Sequence, residues 1–122
     1  MRVEKVDFIS IPSQDKERAK VFYGEVLGLE LEKSTGIGYE FAAGNVTIGI
    51  WEPAAAGIEF KPNPAPIALR VPDVVAARTE LEGKGVEFHG ETHDTSVCHM
   101  AFFADPDGNG LMLHHRYVPD AG

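Results

Sequence analysis

The sequence is poor in cysteine, in basic residues and in long apolar runs. Cys98 is the only cysteine among 122 residues, so no disulfide can form within the chain. The 11 Lys and Arg face 19 Asp and Glu, which gives a formal net charge of −8. Because nucleic acids and anionic membranes bind clustered basic side chains, we expect neither as a partner. No apolar run approaches membrane-spanning length, and the first residues lack the apolar stretch of a secretory signal, so we expect a cytoplasmic protein.

What the sequence does contain is the composition of one ordinary globular domain, and 122 residues suffice to bury a core. The stretch 53–66 holds Pro53, Pro62, Pro64 and Pro66. Because proline removes backbone donors, we expect no regular structure there. The sequence therefore predicts a single domain of two modules, about 1–52 and 67–118, joined by the connector 53–66.

Each module predicts a strand, a helix and three further strands. In the first module, an apolar stripe of helical period follows a capping residue, Ser13 or Asp15, and ends at Gly28. The second module repeats this order, with Asp73 in the place of Asp15 and Gly85 in the place of Gly28. The predicted strands are 3–11, 29–32, 39–43, 46–51, 67–71, 86–91, 97–104 and 111–117, and the predicted helices are 14–27 and 74–84. We therefore expect an α+β fold of two tandem β-α-β-β-β modules, forming a curved mixed sheet with helices outside and a concave cup.

Two motifs carry a family resemblance. Phe22-Tyr23 followed by Val26-Leu27-Gly28-Leu29 is one, and Phe103-Ala104-Asp105-Pro106-Asp107-Gly108-Asn109 is the other. Together they resemble the signatures of the vicinal oxygen chelate superfamily, which includes glyoxalase I, bleomycin-resistance proteins and extradiol dioxygenases. The resemblance implies the β-α-β-β-β repeat and a homodimer. One such fold hosts many chemistries, so it does not by itself fix the function.

The resemblance also implies where a metal would bind. Metal-using members place His on the first strand of each module and a carboxylate on the last. Counting from Asp15, Asp73 and Asn109 gives Phe8, Pro66 and Met112, and the first module offers Thr47, Ile48 or Gly49 for its last strand. None of these side chains suits a hard divalent metal. We therefore expect no metal and no other cofactor, which argues against glyoxalase I and ring-cleaving dioxygenase activity.

Strand alternation indicates which side chains face the cup, because neighbouring residues of a strand point to opposite faces. Apolar residues such as Ile9 and Leu113 should meet the helices, and their neighbours should face the cup. The ligand-binding residues predicted in this way are Phe8, Ser10, Trp51, Arg70, Met112, His114 and Arg116. They suit a small organic ligand that is aromatic or anionic. The alternative is that Phe8 and Met112 merely fill the space of a metal.

These residues leave several functions open. The preferred hypothesis is a metal-free small-molecule-binding protein that acts by sequestration or resistance. The alternative is an enzyme, lyase-, isomerase- or dioxygenase-like, with His114 as acid or base or with a relocated metal site among its histidines. A scaffold without a ligand is the third reading. Cys98 could be a nucleophile only beside a base, and a buried inert thiol is the simpler interpretation.

Overall fold

The computed structural model describes residues 1–119 of the chain, which divides into two compact units. The first unit is Met1–Asn63 and the second begins at Pro64. The division falls inside the connector predicted at 53–66. No helix within residues 1–119 is long and apolar enough to cross a membrane.

The first unit contains one four-stranded sheet. Its elements are β1 (Phe8–Pro12), α1 (Lys16–Val21), a π-helical turn (Phe22–Val26), β2 (Glu30–Ser34), β3 (Gly38–Ala43), β4 (Val46–Trp51) and a 3-10 helix (Pro53–Ala56). The strand order in the sheet is β1-β4-β3-β2. Strand β1 runs parallel to β4, and the other pairings are antiparallel. Strand β1 starts later than predicted because its pairing with β4 begins at Phe8.

The helix of the first unit changes its winding midway. The Asp15 side chain accepts a hydrogen bond from the Arg18 amide at 3.1 Å and so caps the start, as predicted. The helix predicted over 14–27 is present, but its second half is π-helical: Leu27 N donates to Phe22 O at 2.9 Å, a bond that spans five residues. Such widened turns are short insertions in α-helices. Gly28, with φ of +75°, ends the helix as expected.

The connector contains a short element that the sequence prediction excluded. Pro53 is buried and opens the 3-10 helix, where its fixed φ suits the first turn and its missing donor costs nothing. Gly57 closes the turn with φ of +72°. Proline therefore starts regular structure here instead of preventing it.

The second unit repeats the pattern of the first. Its elements are β5 (Ile67–Arg70), α2 (Val74–Gly83), β6 (Phe88–Asp94), β7 (Cys98–Ala104) and β8 (Gly110–Arg116). The strand order in its sheet is β5-β8-β7-β6. Asp73 caps α2 by accepting from the Ala76 amide at 3.0 Å, and Gly85 follows with φ of +92°. The α+β class and the tandem modules are confirmed, with the strands hydrogen-bonded as two four-stranded mixed sheets.

A buried turn joins β7 to β8. The Asp105 Oδ1 accepts from the backbone amides of Asp107 and Asn109, both at 2.9 Å. Its Oδ2 accepts from Asn109 Nδ2 at 2.8 Å. These three side chains are buried, so the turn replaces water with internal partners. The motif that carries the family resemblance is therefore a structural anchor.

Each sheet has one buried face and one face that we call its open face. The buried face of the first sheet is built by Ile11, Phe41, Ile48 and Ile50, and that of the second by Ala101, Phe103, Leu111 and Leu113. Residues between them in sequence point the other way. The predicted alternation of Ile9 and Ile11 against Phe8 and Ser10 is confirmed by their burial. The open faces therefore present the residues predicted to meet a ligand.

Candidate functional site

The open face of the first sheet carries a cavity of about 400 Å³. Residues from β1, β3, β4 and the loop before β3 line it: Phe8, Ser10, Thr35, Ile37, Tyr39, Glu40, Gly49, Ile50 and Trp51. The three ligand-binding residues predicted from the first module, Phe8, Ser10 and Trp51, all lie in this wall. The structure thus brings together the first-module part of the predicted site.

The floor of the cavity is the backbone at Gly49. In the pairing of the strands, Gly49 lies between Ser10 on β1 and Glu40 on β3. Neighbouring strands are about 4.8 Å apart, so Ser10 and Glu40 flank a gap roughly 10 Å wide at their Cα atoms. A Cβ on Gly49 would lie 3.7 Å from Phe8 Cδ2, which places the phenyl ring beside this gap. A strand glycine that leaves such a space is typical of a place where a ligand approaches the backbone.

A second glycine holds the rim of the cavity close to the sheet. A Cβ on Gly38 would lie 1.7 Å from the Ile50 carbonyl oxygen, so only glycine fits there. The loop before it is tied down at both sides: Thr35 N donates to Gly38 O at 2.8 Å, and Glu52 N donates to Ile37 O at 3.0 Å. Ile37 remains 40% exposed, so it offers an apolar edge to whatever enters.

Glu40 supplies the charge of the cavity. Its neighbours Tyr39 and Phe41 lie opposite Ile50 and Ile48 on the buried face, so alternation turns Glu40 to the open face. The residue is half-buried, and within residues 1–119 its carboxylate has no hydrogen-bond or ion-pair partner. Glu40 is the one acidic residue among the lining residues of the described chain, and no Lys or Arg stands among them.

The side chain of Tyr39 interacts with residues of α1. Its hydroxyl donates to the Glu17 carboxylate, and the Lys20 ammonium lies 4.8 Å from the centre of its ring. The hydrogen bond to Glu17, followed by burial and the negative charges of Glu17 and Glu52, raises the pKa of Tyr39 above its usual value. The phenol therefore stays neutral at physiological pH and acts as a structural group.

The predicted residues of the second module lie on the open face of the second sheet. Met112 lies between Ala68 and Phe102, and His114 lies between Arg70 and Met100. Met112 and His114 are half-buried, whereas Arg70 and Arg116 are exposed. His115 points to the opposite face, as predicted, and its Nδ1 is buried without a partner among the described residues. The second module thus places Arg70, Met112, His114 and Arg116 on one face.

Strand pairing settles which residue of β4 corresponds to Met112. Ser10 and Ala68 are equivalent in the repeat, and their partners are Gly49 and Met112. The family's metal positions therefore hold Phe8, Pro66, Gly49 and Met112, which offer no oxygen or nitrogen ligand from a side chain. The donor set does not fit a divalent metal. Within residues 1–119, no group of three or more His, Cys, Asp and Glu is arranged to hold a metal elsewhere.

A polar cluster outside the predicted site lies on the second unit. Asp94 Oδ1 accepts from the Tyr117 hydroxyl at 2.6 Å and from the Ser96 amide at 2.9 Å, and His99 Nε2 is 3.5 Å from Asp94 Oδ2. The bonds from Tyr117 and Ser96 hold the pKa of Asp94 below its usual value. Cys98, next in the chain to His99, is a buried free thiol.

Sequence reasoning missed Glu40 and did not single out Gly49. The sequence pattern could have identified both residues. Tyr39-Glu40-Phe41 and Ile48-Gly49-Ile50 each place one small or charged residue between two apolar ones. Alternation alone assigns both to the open face. The rim residues Thr35 and Ile37 lie in a loop, where the sequence carries no such period.

Several solved structures resemble the chain over nearly its whole length. TnmS3, an antibiotic-binding protein from Streptomyces sp. CB03234, is 26% identical with a TM-score of 0.77, over 95% of this chain and 98% of that chain. A glyoxalase/bleomycin resistance protein from the same strain is 27% identical with a TM-score of 0.72, over 91% and 100%. A lactoylglutathione lyase from Agrobacterium tumefaciens, 15% identical over 93% and 94% with a TM-score of 0.77, shares the fold.

None of the curated proteins matches the chain. Its sequence does match a family model, over residues 5–113. That model covers both modules and both motifs, Phe22–Leu29 and Phe103–Asn109. The chain belongs to the glyoxalase/bleomycin resistance protein/dioxygenase superfamily.

Proposed function

We propose that this protein binds a small organic molecule, without a metal, in the cavity of the first sheet, and that it acts by sequestration or as a carrier. The observation that carries the proposal is the gap over Gly49, walled by Phe8 and Trp51. Its volume of about 400 Å³ lies within the range of roughly 300–1,000 Å³ that is usual for ligand pockets. Apolar walls with a few polar groups are also usual for such sites.

The side chains at the family's metal positions support the metal-free part of the proposal. Phe8 and Pro66 have no donor atom, Gly49 has no side chain, and the thioether of Met112 suits soft ions only. Glyoxalase I and ring-cleaving chemistry depend on that metal in the family. The similarity to an antibiotic-binding protein at 26% identity favours binding over such catalysis.

Four residues of the second sheet remain candidate ligand contacts. Arg70, Met112, His114 and Arg116 share its open face, and we propose that they form a ligand-binding surface of that sheet in its own right. A homodimer and a cytoplasmic location stay predictions from the family resemblance and the sequence. Size-exclusion chromatography with light scattering tests the dimer.

A thermal-shift screen with planar aromatic compounds tests the proposal, followed by calorimetry on each compound that raises the melting temperature. Gly49→Leu fills the gap and should abolish binding of the compounds that bind the wild type. Gly83→Leu is the matched control, because Gly83 ends α2 in the second unit and a Cβ there meets nothing within 4 Å. A screen without any stabilising compound, or equal binding by Gly49→Leu, overturns the proposal.

One strand pairing favours the enzyme alternative. Arg70 is the lateral neighbour of His114 on the open face of the second sheet, so a substrate anion held by the guanidinium would lie near an imidazole able to move protons. His114→Ala separates the two functions. Under the binding proposal, compounds that bind in the first-sheet cavity keep their affinity within about twofold, because His114 does not line it. Loss of a measured turnover with retained affinity favours the enzyme.

A further inference from the structure

We infer that the ligand of the first-sheet cavity is a flat aromatic molecule carrying a positively charged nitrogen, with Glu40 as the counter-ion. The inference rests on the proposed binding function and names the class of molecule that the cavity selects. It is the opposite of the anionic ligand that Arg70 and Arg116 suggested from the sequence.

The first argument is the state of the Glu40 carboxylate. It is half-buried beside the Gly49 gap and has no hydrogen-bond or ion-pair partner in the part of the chain that the structure describes. A carboxylate that loses water on ligand binding without gaining a partner opposes that binding. An ammonium or ring-nitrogen cation over Gly49 supplies the partner, whereas a neutral ligand leaves the carboxylate desolvated and an anion is repelled.

The second argument is the arrangement of the aromatic walls. Trp51 lies two residues from Gly49 on the same face of β4, which is about 7 Å along the strand. The Phe8 ring is on the other side, with Cδ2 3.7 Å from the position of a Gly49 Cβ. A flat ring over Gly49 therefore has an aromatic neighbour at each end. Aromatic faces attract cations, so the walls and Glu40 favour the same charge.

The third argument is the charge of the residues that line the cavity. Among the lining residues of the described chain there is no Lys or Arg, and the ammonium of Lys20 is engaged over the ring of Tyr39. The chain carries a formal net charge of −8, which raises the local concentration of cations at such a site. The one charged side chain that lines the cavity is therefore negative. Lys33, the partner of Glu40 in the pairing of β2 with β3, shares that face of the sheet, but within residues 1–119 it neither lines the cavity nor forms an ion pair with Glu40.

Three probes with one ring system test the charge preference: 1-naphthylmethylamine, 1-naphthalenemethanol and 1-naphthoate, which are cationic, neutral and anionic at pH 7. Trp51 is the only tryptophan, so its indole N–H gives a single NMR signal from the cavity wall. We expect the amine to bind about tenfold more tightly than the alcohol, from one ion pair and one cation–π contact. The naphthoate should bind more weakly than the alcohol.

Glu40→Gln tests whether the Glu40 carboxylate is the counter-ion, because it removes the charge and keeps the size of the side chain. The variant should reduce the preference for the amine over the alcohol from about tenfold to about threefold, the part that the cation–π contact supplies, and leave the affinity for the alcohol unchanged. Glu25→Gln is the matched control, because it makes the same change in net charge at an exposed residue of the π-helical turn outside the cavity. It should preserve the preference for the amine.

The outcomes separate this inference from the proposed function. If the alcohol or the naphthoate binds at least as tightly as the amine, the inference is overturned and the binding function stands. If Glu40→Gln and Glu25→Gln weaken the amine equally, Glu40 is not the counter-ion and the inference is again overturned. If none of the probes moves the Trp51 signal at millimolar concentration, both the inference and the site of the proposed function fail.

Discussion

Gly49 and Met112 occupy the same position in the two modules, and they leave opposite surfaces. Gly49 pairs with Ser10 on the parallel neighbour strand, and Met112 pairs with Ala68, its equivalent in the repeat. The first sheet therefore has a gap where the second has a flexible apolar side chain. In metal-using relatives this position carries a ligating carboxylate. The equivalent position is therefore the floor of a cavity at Gly49 in the first module, whereas the Met112 side chain covers it in the second.

Two glycines of the first sheet should respond differently to one added methyl group. Gly38→Ala places a Cβ 1.7 Å from the Ile50 carbonyl oxygen, so the pairing of β3 with β4 must shift. We expect a loss of about 3 kcal/mol in the free energy of unfolding. Gly49→Ala meets its nearest atom at 3.7 Å and should be neutral or stabilising by roughly 0.5 kcal/mol. Urea denaturation of both variants measures this, and equal losses would contradict the close approach at Gly38.

The Asp105 turn should be a stability element. Asp105→Ala removes the acceptor of two backbone amides and of the Asn109 side chain, all buried, and should cost about 3 kcal/mol. Asp73→Ala removes one exposed helix cap and should cost about 1 kcal/mol. Chemical denaturation compares the two. A cost for Asp105→Ala no larger than that for Asp73→Ala would show that the motif does not anchor β7 to β8.

The protein should not depend on a divalent metal. After dialysis against a chelator and then against metal-free buffer, elemental analysis should find less than about 0.1 equivalents of Zn, Ni, Mn, Fe or Co, because the four family positions offer no hard ligand. Adding these metals should leave the melting temperature unchanged. Stoichiometric metal that survives dialysis, or a clear rise in melting temperature, would contradict the metal-free proposal.

The pKa of the Asp94 carboxyl should lie below its usual value of about 3.9. Hydrogen bonds from Tyr117 and from the Ser96 amide lower its pKa in the folded protein. The stability that this contributes is present above the pKa of the unfolded state and is lost as the pH falls through the folded value. Tyr117→Phe should raise the Asp94 midpoint in a carboxyl-carbon NMR titration, whereas Tyr39→Phe, whose partner is Glu17, should not. Identical midpoints in both variants would exclude the Tyr117 bond as the cause.

Much of the fold follows from the sequence because its signals are local. Asp15 and Asp73 cap the helices, Gly28 and Gly85 end them, and two-residue periods assign the faces of the strands. The π-helical turn at Phe22–Val26 was not predictable in this way. Its widened hydrogen bonds accompany the burial of both Phe22 and Tyr23 against the sheet, which is a tertiary effect.

The candidate site was only partly predictable for a similar reason. Alternation identified Phe8, Ser10 and Trp51, which line one cavity. The register of β4 was open between three residues, because the turns that precede β4 and β8 differ in length, and only the pairing with β1 selects Gly49. Whether the Glu40 carboxylate has an ion-pair partner depends on which charged groups lie near it in space. No periodic pattern of a sequence contains that information.

The most direct test of the binding site is an amide chemical-shift map recorded with a compound from the thermal-shift screen at saturating concentration. The account predicts that the largest shifts fall on Ser10, Glu40 and Gly49, the row that crosses the floor of the cavity, together with the indole N–H of Trp51. A saturating ligand that leaves these four signals unmoved would contradict it.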